Sequence, residues 1–158
     1  MLTELSATNF KSWPKMGPMR LAPLTGLFGT NSSGKSSILQ FLLMLKQTAD
    51  SPDRAQVLYL GEEKSEKSLA VLGTFDDVLH KAASEHRLGW SLAWKLQGAL
   101  KVPDPQNARG TPLMSGSEVK LSCDVEDVGM GRLAVKLMEY TFASQQFSMR
   151  PLNTGKKD

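Results

Sequence analysis

The chain has 158 residues, the size of one ordinary domain, and its 41% hydrophobic and 22% charged composition excludes a disordered or fibrous protein. Nineteen lysines and arginines against sixteen acids leave a formal charge of +3, but the basic residues are scattered, with Lys156-Lys157 the single adjacent pair, so the charge does not argue for a nucleic-acid surface. The lone cysteine, Cys123, excludes an intrachain disulfide and a cysteine-based metal site, and it suits a reducing cytosol.

Met1 to Ser6 carries no basic region followed by an apolar core, so no secretory signal is expected. Residues 2–10 alternate loosely through Leu2, Leu5, Ala7 and Phe10, which predicts a strand. Lys11-Ser12-Trp13-Pro14 then turns the chain, and residues 18–23 lead into the strand before the glycine loop, so the chain is expected to begin with a hairpin-like pair that feeds that loop. Leu24-Thr25-Gly26-Leu27-Phe28 is short and apolar enough for a buried parallel strand.

Residues 29–36 read Gly29-Thr30-Asn31-Ser32-Ser33-Gly34-Lys35-Ser36, a complete G-x-x-x-x-G-K-S phosphate loop. In such a loop backbone N–H groups wrap nucleotide phosphates. The lysine reaches the β- and γ-phosphates, and the serine hydroxyl binds Mg²⁺. Gly29 and Gly34 permit the close approach that a Cβ obstructs. Lys35 is the point cation, Ser36 the Mg²⁺ ligand, and Ser37 is in reach of the α-phosphate. Thr30, Asn31, Ser32 and Ser33 supply backbone donors and small polar side chains. The run from Ser37 to Gln47 has no Gly or Pro and predicts a helix of about three turns. That helix ends near Ala49, where Asp50-Ser51-Pro52-Asp53 is a stop signal. Its apolar stretch, Ile38 to Leu45, is far too short to span a bilayer.

Beyond the helix, Val57-Leu58-Tyr59-Leu60 reads as a strand and residues 69–72 as another short one. Residues 74–80 look like a short helix capped by Thr74 or Asp76. His80 and His86 show no metal-ligand pattern and read as surface or helix-end residues. Leu88, Trp90, Leu92, Trp94 and Leu96 alternate as a strand, and residues 103–116 read as a loop. Val119, Leu121, Cys123 and Val125, then Leu133, Val135 and Leu137, predict a hairpin about Gly129-Met130-Gly131, with a third strand over 141–149.

A phosphate-loop ATPase also needs an acid that holds Mg²⁺ and one that activates water. Two places imitate it. In one, Glu62 and Glu63 follow a turn glycine. In the other, Asp76 and Asp77 follow a broken apolar run and read equally as a helix cap. The chain is thus expected to bind ATP and Mg²⁺ without clear hydrolytic machinery.

Asn9-Phe10-Lys11-Ser12-Trp13, then Pro23-Leu24-Thr25, then residues 28–39 together resemble the N-terminus of SMC/RecF-type ABC ATPase heads. The similarity is closest to the bacterial OLD-like predicted AAA-family ATPases. Residues 42–48 and 72–80 also look like that branch. The resemblance is strong over residues 1–50, fair to about 90 and weak beyond. It implies an α/β P-loop NTPase fold, the N-terminal part of an ABC-type head, with a mixed sheet, the phosphate-loop helix and an antiparallel β-subdomain. Residues 1–50 would form the strand-loop-helix lobe and residues 51–158 the mostly antiparallel region. Lys11 and Ser12 would sit near the nucleotide, and Gln145 or Gln146 would be the Mg²⁺-touching glutamine. A serine-glycine-glycine signature and a switch histidine are absent from the sequence. Hydrolysis is therefore expected to need a C-terminal half or a second ATPase head, in a homo- or hetero-oligomer. DNA is the expected substrate context, and the location is cytoplasmic, with no membrane. The competing reading is a nucleotide-binding regulatory or assembly module that does not hydrolyse ATP. A small-molecule kinase is disfavoured because no arginine-rich lid follows the helix. A GTPase is disfavoured because no Asn-Lys-x-Asp motif appears.

Overall fold

Alternation of apolar and polar residues decides the sheet. The computed structural model describes residues 1–63, 65–107 and 110–152; Lys156-Lys157 lies outside them. Six strands form: β1 (Leu2–Phe10), β2 (Trp13–Arg20), β3 (Arg87–Val102), β4 (Met114–Asp127), β5 (Leu133–Phe142) and β6 (Gln145–Met149). They make one sheet in the order β2-β1-β3-β4-β5-β6, and every neighbouring pair is antiparallel. The register aligns apolar rows across it. Ala7 faces Met16 and Trp90, Trp90 faces Cys123, and Cys123 faces Met138. Leu5 faces Met19 and Leu92, Leu92 faces Leu121, and Leu121 faces Tyr140. The alternate positions Glu4, Thr8, Ser91, Lys120, Ser122 and Asp124 make the other face polar, as an antiparallel sheet permits.

The apolar face is covered by α1 (Lys35–Asp50), whose buried residues Ile38, Phe41, Met44 and Gln47 recur at helical spacing. Phe41 meets Phe10 and Trp90 edge-on, with centroids 5.0 and 6.3 Å apart. After α1 the described residues of 51–73 form no strand ladder, and Gln47 ties the segment down. Its Nε2 donates to the Tyr59 carbonyl at 2.6 Å, and its Oε1 accepts from the N–H groups of Leu69 and Ala70 at 3.0 Å each. The Thr48 hydroxyl accepts from the Tyr59 N–H at 2.9 Å. A short helix, α2 (Phe75–Val78), follows, with Thr74 as its N-cap in a reciprocal capping box with Asp77. No helix among the described residues is long and apolar enough to cross a membrane.

The initial hairpin, the helix that follows residue 34 and the hairpin about Gly129-Met130-Gly131 form where the sequence predicts them, and of the two candidate caps, Thr74 and Asp76, Thr74 is the one used. The fold class differs from the expectation. The expected α/β P-loop NTPase, with a mixed sheet as in the N-terminal part of an ABC-type ATPase head, is overturned. The molecule is a small β-rich domain with an all-antiparallel six-stranded sheet and helices of 16 and 4 residues. The predicted parallel strand at residues 24–28 does not form, and Leu24 and Phe28 are 90% and 94% exposed. The reason is physical. A parallel strand needs both faces covered, and one long helix covers only one. The nearest sheet edge, β2, carries Pro14 and Pro18 and is a poor ladder partner. Residues 57–60 and 69–72 are likewise not strands; their backbone groups are taken up by Gln47, Thr48 and a single Leu72 N–H to Leu60 carbonyl bond of 2.8 Å. The third strand predicted over 141–149 is split by a turn at Ala143-Ser144, both at positive φ.

The Gln47 clamp is directly testable. Gln47→Leu keeps the bulk but strands one carbonyl and two N–H groups in a part-buried setting, so it is expected to destabilise the fold by about 1–3 kcal/mol. Chemical denaturation measures this, and a midpoint equal to wild type contradicts it.

Candidate phosphate-binding site

Residues 29–34 form an irregular loop that enters α1 at Lys35. Gly34 is the N-cap, at φ 87°, ψ 10°, a left-handed conformation open to glycine. It has no side chain to cap the first turn, so the helix start keeps N–H groups that lack an intrahelical partner. Those donors and the helix dipole favour an anion. Gly29, Thr30, Asn31, Ser32, Ser33 and Ser36 are exposed, and Gly34 and Lys35 are half-buried. Ser37 differs. It is 8% exposed and belongs to the packed face of α1 with Ile38 and Phe41, so it is closed off from the loop mouth.

The Lys35 ammonium is folded into its own loop. It donates to the carbonyls of Gly29 at 2.8 Å and Thr30 at 2.6 Å, and to Ser33 Oγ at 3.5 Å. A phosphate in this loop must therefore draw the ammonium away from two carbonyls. The donor set fits a phosphate and its metal: a lysine cation within the loop, a serine hydroxyl at the next position, and glycines where a Cβ would crowd the loop. A Cβ on Gly29 would meet Ser33 Oγ at 3.0 Å. Among the described residues there is no cluster of three or more histidine, cysteine or acidic side chains able to hold a metal by itself, so Ser36 would hold Mg²⁺ together with phosphate oxygens.

The β1–β2 turn abuts the loop. Asn9 and Lys11 both take positive φ, 61° and 46°. Trp13 Nε1 donates to the Gly34 carbonyl at 3.2 Å, and a Cβ added to Gly34 would sit 3.3 Å from Ser12 Cβ. The structure thus brings Ser12 to the loop. Lys11 turns its side chain elsewhere, with Nζ donating to Gln40 Oε1 on α1 at 2.8 Å. Burial lowers the Lys11 pKa, and the Asp77 carboxylate works against that shift. The Lys11 carbonyl accepts from His80 at 2.7 Å, which places the proton on Nδ1 because a carbonyl only accepts.

The candidate acids divide. Asp77 Oδ2 accepts from the Thr74 N–H at 2.8 Å and its hydroxyl at 2.7 Å, so it serves the α2 cap. Those bonds, with the Lys11 charge, hold its carboxyl below the usual range. Asp76 lies 3.2 Å from His86 Nδ1. Glu62 lines a cleft with Asp50, Ser51 and Asp53 at the C-terminal end of α1, about 24 Å of helix from Lys35; Glu63 follows it. Gln145 and Gln146 lie on β6, five strands from β2 and about 24 Å across the sheet. None of these six is brought to the loop. Cys123 is buried, which pushes its thiol up to about 12, so it is an inert core residue.

Trp13 and Gln40 were missed in the sequence. The available signal was an indole directly after the Asn9-Phe10-Lys11-Ser12 turn, since a partly buried indole N–H requires an acceptor.

Two outcomes follow from this geometry. Gly34→Ala forces a Cβ into a left-handed residue and to within 2.6 Å of Trp13 Nε1; it is expected to cost about 1–3 kcal/mol, read by thermal unfolding, and an unchanged midpoint contradicts it. Asp77 is expected to titrate below 3.8, by carboxyl NMR shift, and Thr74→Ala is expected to move the midpoint upward. Its contribution to the α2 cap is then present at neutral pH and lost as pH falls through that depressed value. A midpoint at or above 3.8 contradicts the assignment.

No known protein family, curated protein or solved structure matches the chain, so the reading of the site rests on its own residues.

Proposed function

We propose that the chain binds Mg²⁺-ATP through Gly29 to Ser36 and serves an ABC/SMC-like ATPase as its nucleotide-binding N-terminal segment, doing so on an antiparallel β-rich domain and not on the mixed-sheet fold of an ABC-type head. The observation that carries this reading is the complete G-x-x-x-x-G-K-S loop at the start of a 16-residue helix, with Lys35 already coiled inside it. In this reading Lys35 leaves the Gly29 and Thr30 carbonyls and bridges phosphate oxygens. Backbone N–H groups of the loop and first helical turn orient the phosphates, and Ser36 contributes its hydroxyl to the metal. Mg²⁺, when bound, would offset the charge of the nucleotide's terminal phosphates. Ser12 stands beside Gly34 and borders the same anion.

Hydrolysis, in this reading, requires a C-terminal half or a partner chain, such as a second ATPase head, giving a homo- or hetero-oligomer. Asp76 and Asp77 are engaged by His86 and the α2 cap, and Glu62 lies at the far end of α1. Work on DNA or in phage defence, in the cytoplasm, rests on family resemblance alone. The second reading is a regulatory or assembly module that holds ATP without turning it over. The engagement of Asp77 in the α2 cap and the placing of Glu62 at the far end of α1 favour it for the isolated chain.

Calorimetric titration with ATP, with and without Mg²⁺, tests the proposal alongside a phosphate-release assay. Lys35→Ala is expected to weaken binding about 10- to 100-fold, the loss of one or two charge-assisted hydrogen bonds. Ser36→Ala is expected to weaken Mg²⁺-dependent binding more than Mg²⁺-free binding. Equal ATP binding by wild type and Lys35→Ala overturns the phosphate-loop reading. Lysine-dependent turnover by the chain alone overturns the requirement for a partner.

A further inference from the structure

We infer that Trp13 is a positioning residue for the phosphate loop, holding the Gly34 carbonyl so that the first turn of α1 presents its amides to an anion; the inference rests on the nucleotide-binding reading above. The Gly34 carbonyl lies at the start of the helix, and it accepts from the Ser37 N–H at 3.1 Å and from the Trp13 indole N–H at 3.2 Å. Gly34 sits in the left-handed region with no side-chain cap, so nothing of its own fixes the direction of the peptide plane that follows it. That plane carries the Lys35 N–H, the first amide of the helix. An indole on the carbonyl oxygen sets the plane's orientation from the other side.

The indole is itself firmly placed. Trp13 opens β2 and pairs with Phe10, whose ring meets Phe41 three residues below Ile38 on α1. Lys11, two residues before Trp13, is anchored three ways. Its N–H donates to the Val78 carbonyl at 2.8 Å, its carbonyl accepts from His80, and its ammonium donates to Gln40. A Cβ on Gly34 would lie 2.6 Å from Trp13 Nε1 and 3.1 Å from Cε2, so the indole edge is the wall against which the loop closes. Movement of Lys35 out of the loop changes the peptide next to this hydrogen bond, and the indole therefore reports on anion binding.

Trp13→Phe keeps an aromatic ring and removes the N–H donor together with part of the indole's bulk. The three tryptophan indoles are resolved by ¹H–¹⁵N NMR, and the cross-peak missing from Trp13→Phe is that of Trp13. In wild type, Mg²⁺-ATP is expected to move this cross-peak more than those of Trp90 and Trp94. Trp13→Phe is expected to bind Mg²⁺-ATP about five- to tenfold more weakly, with its unfolding midpoint little changed, the loss of one orienting hydrogen bond. If wild type binds ATP while the Trp13 cross-peak stays still and Trp13→Phe binds as tightly, the positioning role is overturned and the nucleotide reading stands. If wild type does not bind ATP, the nucleotide reading falls. The positioning of Gly34 is then judged by hydrogen exchange without nucleotide: faster exchange at the amides of residues 35–37 in Trp13→Phe supports it, and unchanged exchange overturns it.

Discussion

An antiparallel sheet with one apolar face has to be covered on that face, and here a single helix of 16 residues does most of the covering. The contact that fixes it is aromatic. Phe41 stands edge-on to Phe10 and Trp90, joining the helix to β1 and β3 at once. Once that ring is seated, the rest of α1 has little freedom. Ile38 and Met44 are buried one turn either side, and Gln47 arrives where its amide clamps the extended segment that follows. The start of the helix, and with it Lys35, is carried to the β1–β2 turn.

That turn is where the chemistry of the molecule gathers. Within three residues it offers the Lys11 ammonium to Gln40, the Lys11 backbone to Val78 and His80, and the Trp13 indole to Gly34. It thereby joins the phosphate loop, the helix behind it and the capped α2 segment. The left-handed conformations of Asn9 and Lys11 are local costs of this arrangement, and the surrounding hydrogen bonds hold them in place. The same geometry accounts for the acids. Asp77 lies near Lys11 because α2 is hydrogen-bonded to the turn, and its Oδ2 accepts two hydrogen bonds from Thr74. Those bonds commit that oxygen to the cap of a short helix.

The legible parts of the sequence are those in which a local rule and the tertiary environment agree. Period-two runs through Leu88 to Trp94 and Val119 to Val125 became strands because their apolar partners lie directly opposite in the register. Thr74 became a cap because Asp77 stands three residues on, a reciprocal arrangement decided within one turn. Val57-Leu58-Tyr59-Leu60 has the same local character as these strands and did not become one. Gln47 and Thr48 reached its backbone first, and no sequence pattern marks a helix side chain as a substitute for a neighbouring strand. Leu24 to Phe28 failed for a different reason. Its apolar composition suits a strand buried on both faces, and the fold supplies neither the neighbours nor the second layer.

The sequence by itself determined the G-x-x-x-x-G-K-S motif, because Gly29, Gly34, Lys35 and Ser36 lie within eight consecutive residues and the motif depends on spacing along the chain. It also determined the alternating strands and the helix that follows the loop, since both follow from periods of two and 3.6 residues. Which residues surround that loop was decided only by the tertiary structure. Trp13 is 21 positions from Gly34 and Lys11 is 29 from Gln40. These pairs meet because β1 and β2 fold back beside α1, and the antiparallel order carries Gln145 and Gln146 to the opposite edge. Such juxtapositions depend on how a sheet satisfies its buried face and its edges together, a requirement of the whole chain that no local segment expresses.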